Sequence, residues 1–313
     1  MSSSEGTKDS FFKLLKAVCK SCKKASLKTY HQNIKRLYRL IKPEATHVPT
    51  TKSWLNSEEL WKKYKAKPVN IRRHLSTAGV KSSQAYKMEP ENRWFAAMVK
   101  DQSLYQKQRD KNEPSEKEKS LIPKNGLKAI KRSAVELKKR LKYILEDTPS
   151  KSGLYQYQWF IALKLYSEIP FRNTYADINI SGTKGNHLLR GKKGNYTFIM
   201  TDYKNSDKLG PREVKISRAG TMALKNFLAY REKVGIKHNK LFSTKTGGEM
   251  SKATFGKGLQ ATTSKLLGKA IGSRIIRILH ASSKSNKEAI EKASELTNKL
   301  LHTASQTKQY VRK

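Results

Sequence analysis

The sequence predicts a mainly α-helical protein with a small antiparallel β-sheet in its C-terminal half. Apolar residues recur with a period near 3.6 along most of the chain, most clearly over 127–145, which indicates amphipathic helices. Two short segments, 196–200 and 212–216, instead follow glycine-containing turns and alternate in polarity, which is typical of paired strands. A helix before this hairpin and several helices after it complete the predicted C-terminal fold.

Breaks rich in proline and polar residues divide the chain into three predicted parts. Residues 1–50 are basic and carry short helical patterns, which predict one or two short helices or a basic N-terminal arm. Residues 51–149 continue as several helices and form the second predicted domain. The run Pro-Ser-Lys-Ser-Gly at 149–153 indicates a hinge. Residues 150–313, which contain the hairpin, form the third.

The charge of the chain indicates a polyanionic partner. Lys and Arg number 66 against 25 Asp and Glu, which gives a formal net charge of +41. Core packing does not depend on the sign of surface charge, so the excess of positive residues indicates which kind of molecule the protein binds. Nucleic acid is favoured, because each Lys or Arg placed on a phosphate releases a condensed counterion. An anionic membrane surface is the alternative, but we find no long amphipathic helix with aromatic and lysine faces to support it.

The apolar segments do not predict a membrane protein. No apolar run approaches the roughly 18 residues that a transmembrane helix needs. The apolar patch at 11–18 is interrupted by lysines, and no small-residue cleavage site follows it, so it does not resemble a secretory signal. We therefore expect an intracellular protein in the compartment that holds its DNA.

The two cysteines, Cys19 and Cys22, form a Cys-Lys-Ser-Cys pair that is half of a possible zinc site. His31 could supply a third ligand, but no fourth ligand follows nearby. The sequence therefore favours two reduced cysteines on a basic helix.

Four short strings in the C-terminal half contain the residues with the strongest chemical signal. These strings are Glu-Ile-Pro-Phe-Arg-Asn-Thr-Tyr-Ala-Asp-Ile at 168–178, Asp-Tyr-Lys-Asn-Ser at 202–206, Gly-Ser-Arg-Ile-Ile-Arg-Ile-Leu-His at 272–280, and the segment 300–310. Their candidate site residues, in chain order, are Arg172, Lys204, Arg274, Arg277, His302 and Tyr310. Any one of them alone is more typical of a solvated or packing residue, so the ordered set carries the signal.

This ordered set resembles the catalytic signature of the tyrosine recombinase (integrase) family. Arg172, before an Asp-Ile strand start, looks like the first arginine box, and Lys204 looks like the lysine of the β-hairpin. The string at 272–280 looks like the second box, and a Leu-x-His segment followed by Tyr310 looks like the end of the signature. The resemblance covers the C-terminal half, and residues 51–149 are similar to the family's core-binding domain in type. The high helical content and the short hairpin look most like those of recombinases from large DNA viruses and related mobile elements.

The resemblance implies a metal-independent reaction that needs no cofactor. Tyr310 would attack a DNA phosphate and form a covalent 3′-phosphotyrosine, helped by guanidiniums that favour the phenolate. Arg172 and Arg277 would clamp the non-bridging oxygens. His302 would hydrogen-bond a phosphate oxygen, and Lys204 would protonate the departing 5′ oxygen. The implied partner is double-stranded DNA, bound by a homotetramer on two sites.

The sequence departs from the family pattern at two places. Arg274 stands where the family usually has His, so it could contact the phosphate but offers no imidazole. Few residues follow Tyr310, so the segment with which many relatives interlock subunits is expected to be absent or to come from elsewhere. Lys208 lies in the same turn as Lys204 and is the alternative general acid.

Three other functions share part of this pattern. A DNA-binding structural protein could keep the fold without turnover. A type IB topoisomerase shares the chemistry but relaxes supercoils as a monomer. Charge alone would also fit a generic RNA-binding protein. The complete Arg, Lys, Arg, His and Tyr set argues against the structural protein and the RNA-binding protein. An assay for relaxation of supercoiled DNA would distinguish a topoisomerase from a recombinase.

Overall fold

A computed structural model describes residues 10–90, 92–111, 113–146 and 148–283, and it confirms the predicted fold class of helices with one small antiparallel sheet. The chain divides into two compact units, Met1–Lys111 and Asn112–Lys313. The functional divisions after residues 50 and 149 remain predictions.

In its described residues, the first unit consists of helices joined by turns and loops. Its elements are α1 (Ser10–Val18), α2 (Lys24–Tyr38), a 3-10 turn (Ser53–Asn56), α3 (Glu58–Lys65), α4 (Val69–Ala85) and α5 (Arg93–Asp110). The basic N-terminal segment contributes to the core, because Phe11 and Leu15 of α1 and Ile34 of α2 are fully buried together with Trp94.

The two cysteines lie in the turn between α1 and α2 rather than on a helix. Both are free thiols, with Cys19 buried and Cys22 half-buried. Burial raises the pKa of the Cys19 thiol, and a hydrogen bond with Cys22 acts in the same direction. His31 packs edge-on against Phe12 at 5.0 Å. Within the described part of the chain, no group of three or more His, Cys, Asp or Glu residues could hold a metal ion.

Helices α4 and α5 pack closely because α4 carries a glycine at their contact. A Cβ atom at Gly79 would overlap the indole ring of Trp94. The same indole Nε1 donates to the carbonyl oxygen of Leu55 at 3.1 Å, which fixes the ring in place. The ring therefore cannot move aside without losing a buried hydrogen bond.

Gly79→Val is expected to destabilise the protein by about 1–3 kcal/mol, because the added side chain overpacks the contact with Trp94. Urea unfolding followed by circular dichroism measures the change. Gln84→Val introduces the same residue at an exposed position of α4 and should have little effect. Equal stability of the two variants would contradict the close packing described here.

The second unit contains the sheet. Its elements are α6 (Glu116–Leu121), α7 (Gly126–Glu146), α8 (Lys151–Tyr166), a 3-10 turn (Asn173–Asp177), β1 (His187–Arg190), β2 (Tyr196–Met200), α9 (Ser206–Leu209), β3 (Arg212–Lys215), α10 (Arg218–Lys233), α11 (Lys252–Leu267) and α12 (Ser273–Ala281). The sheet order is β1-β2-β3, and both pairs are antiparallel. Its central residue Phe198 lies opposite Leu188 and Val214, and all three are buried in the core.

Helix α8 forms the centre of this unit. It is buried on nearly all sides, and Ser150 caps its start by accepting a hydrogen bond from the Gly153 amide. Helix α7 packs on it through Ile130, Ala134 and Leu141. Among the residues that the structure describes, no helix is both long and apolar enough to span a membrane.

Candidate active site

A basic cavity of about 530 Å³ lies in the second unit. Its walls are formed by Arg172, Asn173, Thr174, Asp202, Tyr203, Lys204, Lys252, Ser273, Arg274 and Arg277. The four candidate residues Arg172, Lys204, Arg274 and Arg277 therefore share one cavity, although they come from three separate parts of the sequence.

Two buried tyrosines fix the backbone around Arg172. The Tyr166 hydroxyl donates to the Arg172 carbonyl at 3.0 Å, and the Tyr175 hydroxyl donates to the Ile169 carbonyl at 2.7 Å. The two rings meet edge to face at 4.9 Å. Burial raises the pKa of both phenols well above the usual value, so both stay protonated and able to donate. These two bonds hold the main chain that carries the half-buried Arg172 directly after α8.

The turn that carries Lys204 is held on both sides. The buried Asn186 side chain accepts from the Thr201 and Asp202 amides at 2.9 Å each and donates to the Asp202 carbonyl at 2.7 Å. On the other side, the Tyr203 hydroxyl donates to the Gly210 carbonyl at 2.8 Å. These contacts fix the main chain on either side of an exposed lysine whose side chain lines the cavity.

Lys208, the alternative lysine, lies on the short helix α9. Its side chain is exposed, and it is not among the residues that line the cavity. The geometry therefore favours Lys204 as the general-acid candidate.

Helix α12 presents two arginines to the cavity. Arg274 and Arg277 are three residues apart, so they lie on one helix face. Arg277 is a buried residue with only 1% of its surface exposed, whereas 67% of the Arg274 side chain is exposed. The Arg274 guanidinium forms an ion pair with Glu118. His280 is buried on the same helix, and its Nε2 donates to the Tyr166 carbonyl at 2.7 Å, so it has a packing role.

The structure adds a further cation that the sequence analysis did not single out. Lys252, the first residue of α11, lines the cavity and forms an ion pair with Asp177 at the end of the 3-10 turn. Nothing in the local sequence distinguishes Lys252 from the other lysines, because its position depends on a contact distant in sequence.

His302 and Tyr310, the remaining candidate residues, lie outside the described residues. Their positions relative to the cavity stay a prediction.

The cavity combines five cationic side chains with the carboxylate of Asp202. One arginine guanidinium can donate two parallel hydrogen bonds to two oxygens of a phosphate. A partly enclosed site strengthens such contacts, because water screens them less. The arrangement is therefore suited to a phosphodiester whose negative charge increases during reaction.

No protein-family model and no curated protein matches the chain. Among solved structures, the chain shows a likeness to the crystal structure of XerA recombinase, with a TM-score of 0.40 and 11% sequence identity. The aligned region covers 96% of this chain and 93% of that one. Because the likeness is this low, the functional assignment depends on the cavity.

Proposed function

We propose that this protein is a DNA recombinase of the tyrosine type, which cuts and rejoins DNA through a covalent 3′-phosphotyrosine. The observation that supports this proposal is the convergence of Arg172, Lys204 and Arg277 on one cavity. The three residues belong to separate short motifs, and the order of these motifs along the chain does not require them to be close in space. A chance selection from 66 basic residues would be expected to scatter over the surface.

In the proposed reaction, Tyr310 first loses its hydroxyl proton to water, and the nearby guanidiniums favour the resulting phenolate. The phenolate oxygen then attacks the scissile phosphorus, and the bond from phosphorus to the 5′ oxygen breaks. Arg172 and Arg277 bind the non-bridging oxygens and stabilise the additional charge of the transition state. Arg277 is especially suited to this role, because its burial limits screening by water. Lys204 gives its proton to the departing 5′ oxygen, and His302 donates a hydrogen bond to the phosphate.

The phosphotyrosine ester keeps the energy of the broken DNA bond. A free 5′ hydroxyl can therefore attack it and reseal a strand without ATP. Strands would be exchanged between two duplexes if the attacking 5′ hydroxyl belonged to the other duplex. Because this step needs two DNA sites held together, we propose that a homotetramer binds them. The formal charge of +41 favours binding to double-stranded DNA.

A suicide substrate tests the proposal. A nick close to the cleavage point lets the short 5′-hydroxyl fragment diffuse away, so the covalent adduct accumulates. We would incubate the protein with a pool of nicked duplexes of randomised sequence and look for protein-linked DNA on denaturing gels. The wild-type protein should form an adduct, and Tyr310→Phe should form none, because phenylalanine has no nucleophilic oxygen.

Tyr196→Phe is the matched control, because it removes the same hydroxyl from strand β2 outside the cavity. It should form the adduct as the wild type does. An adduct that persists in Tyr310→Phe would place the nucleophile elsewhere. DNA binding without any adduct would favour a structural DNA-binding protein.

A further inference from the structure

Glu118 connects helix α6 to the cavity through Arg274. The glutamate is 6% exposed and lies in the first turn of the helix. Its Oε2 accepts a hydrogen bond from the Ser115 amide at 3.0 Å, while the Ser115 hydroxyl accepts from the Glu118 amide at 3.3 Å. This reciprocal pair is a capping box, and it fixes the carboxylate at the start of the helix.

The second oxygen of the carboxylate, Oε1, holds the guanidinium of Arg274. The two partners differ strongly in exposure, since 67% of the Arg274 side chain is accessible but only 8% of the Glu118 side chain. A buried, doubly bonded carboxylate has little freedom, whereas an exposed arginine has many rotamers. Glu118 therefore determines where Arg274 lies.

A second contact fixes α6 against the start of α12. The Lys269 ammonium donates to the Ser120 carbonyl at 2.6 Å and to the Ile122 carbonyl at 3.0 Å. Lys269 precedes α12 by a few residues, so this contact and the ion pair hold the same two segments together. The position of the carboxylate relative to Arg274 is thus set by the fold of the unit.

We infer that Glu118 is a positioning residue, which holds Arg274 ready to contact the DNA phosphate; this inference rests on the proposed function. A guanidinium has five N–H donors, so the contact with Glu118 leaves others for a phosphate oxygen. Orientation by the carboxylate avoids the entropy cost of ordering a long side chain during the reaction.

Glu118→Gln tests this role without removing the cap. Glutamine keeps a side-chain oxygen for the Ser115 amide, and it serves equally well at this position of a capping box. It removes the negative charge that holds Arg274. We expect the rate of adduct formation at saturating DNA to fall about tenfold, because the arginine is no longer oriented. DNA affinity and the unfolding midpoint should change little.

Glu116→Gln is the matched control. It makes the same change in charge on the same helix, but the Glu116 side chain is 89% exposed and pairs with Lys119 instead. Its cleavage rate should equal that of the wild type. In an Arg274→Ala background, Glu118→Gln should cause no further loss, because the residue through which it acts is missing.

The possible results separate this inference from the proposed function. A wild-type rate in Glu118→Gln would overturn the positioning role, and the proposed reaction would stand. A faster rate would show that Glu118 competes with the phosphate for Arg274, which also overturns it. A further loss in the Arg274→Ala background would indicate a structural role only. Absence of any adduct from the wild type would contradict the proposed function itself, and the inference with it.

Discussion

Arg277→Lys should slow DNA cleavage by about 10²–10³-fold, the effect typical of losing one donor to a developing oxyanion. Lysine keeps the positive charge but replaces a planar fork with a point charge on a flexible stem. Arg277 is 1% exposed and lines the cavity, so water cannot easily substitute for the missing donors. The rate of adduct formation on a nicked substrate at saturating DNA measures the effect.

Arg231→Lys serves as the matched control. Arg231 is also buried, at 4% exposure in the same unit, but it donates to the Lys240 carbonyl at 3.1 Å and does not line the cavity. Its substitution should lower stability and leave the cleavage rate of the folded protein nearly unchanged. Similar cleavage rates for the two variants would show that the slower cleavage by Arg277→Lys results from replacing a buried cation rather than from losing a contact with phosphate.

Lys204→Ala should slow cleavage of ordinary DNA by about 10²–10⁴-fold, the contribution typical of a general acid. The cause is the leaving group, because a 5′ alkoxide departs poorly without a proton. Replacing the 5′ oxygen with sulfur should restore most of the rate, since a thiol has a pKa of about 8.5 and leaves as the thiolate. Both substrates are compared with the same protein preparations.

Lys208→Ala controls for the loss of a positive charge in the same turn. The Lys208 side chain is exposed and lies outside the cavity lining, so this variant should cleave both substrates at the wild-type rate. If sulfur failed to rescue Lys204→Ala, Lys204 would bind DNA without acting as the acid. If sulfur rescued Lys208→Ala instead, the assignment of the two lysines would be reversed.

Much of the fold could be predicted because it depends on local patterns. Periodicity over 127–145 predicted α7, and alternation after glycine turns predicted β2 and β3. Strand β1 was missed, because its sequence His-Leu-Leu-Arg is too short to show alternation and depends on pairing with β2. The extended stretch predicted from Asp177 begins later in the structure, since that residue ends a 3-10 turn.

The candidate site was predicted to the extent that its motifs are local. Arg172, Lys204, Arg274 and Arg277 could be selected from short strings, and the structure places all four around one cavity. Contacts between distant segments could not be predicted. For example, Glu118 at the start of α6 pairs with Arg274 of α12, which lies far along the chain. Nothing in the sequence around either residue predicts that the two are in contact.

The most direct test of the central claim is the identity of the amino acid that becomes linked to DNA. The trapped adduct is digested with protease and nuclease, and the peptide that retains a nucleotide is sequenced by mass spectrometry. The proposed mechanism predicts a nucleotide on Tyr310, joined through its 3′ phosphate, with a free 5′ hydroxyl on the released strand. A nucleotide on any other residue, or a link through a 5′ phosphate, would contradict it.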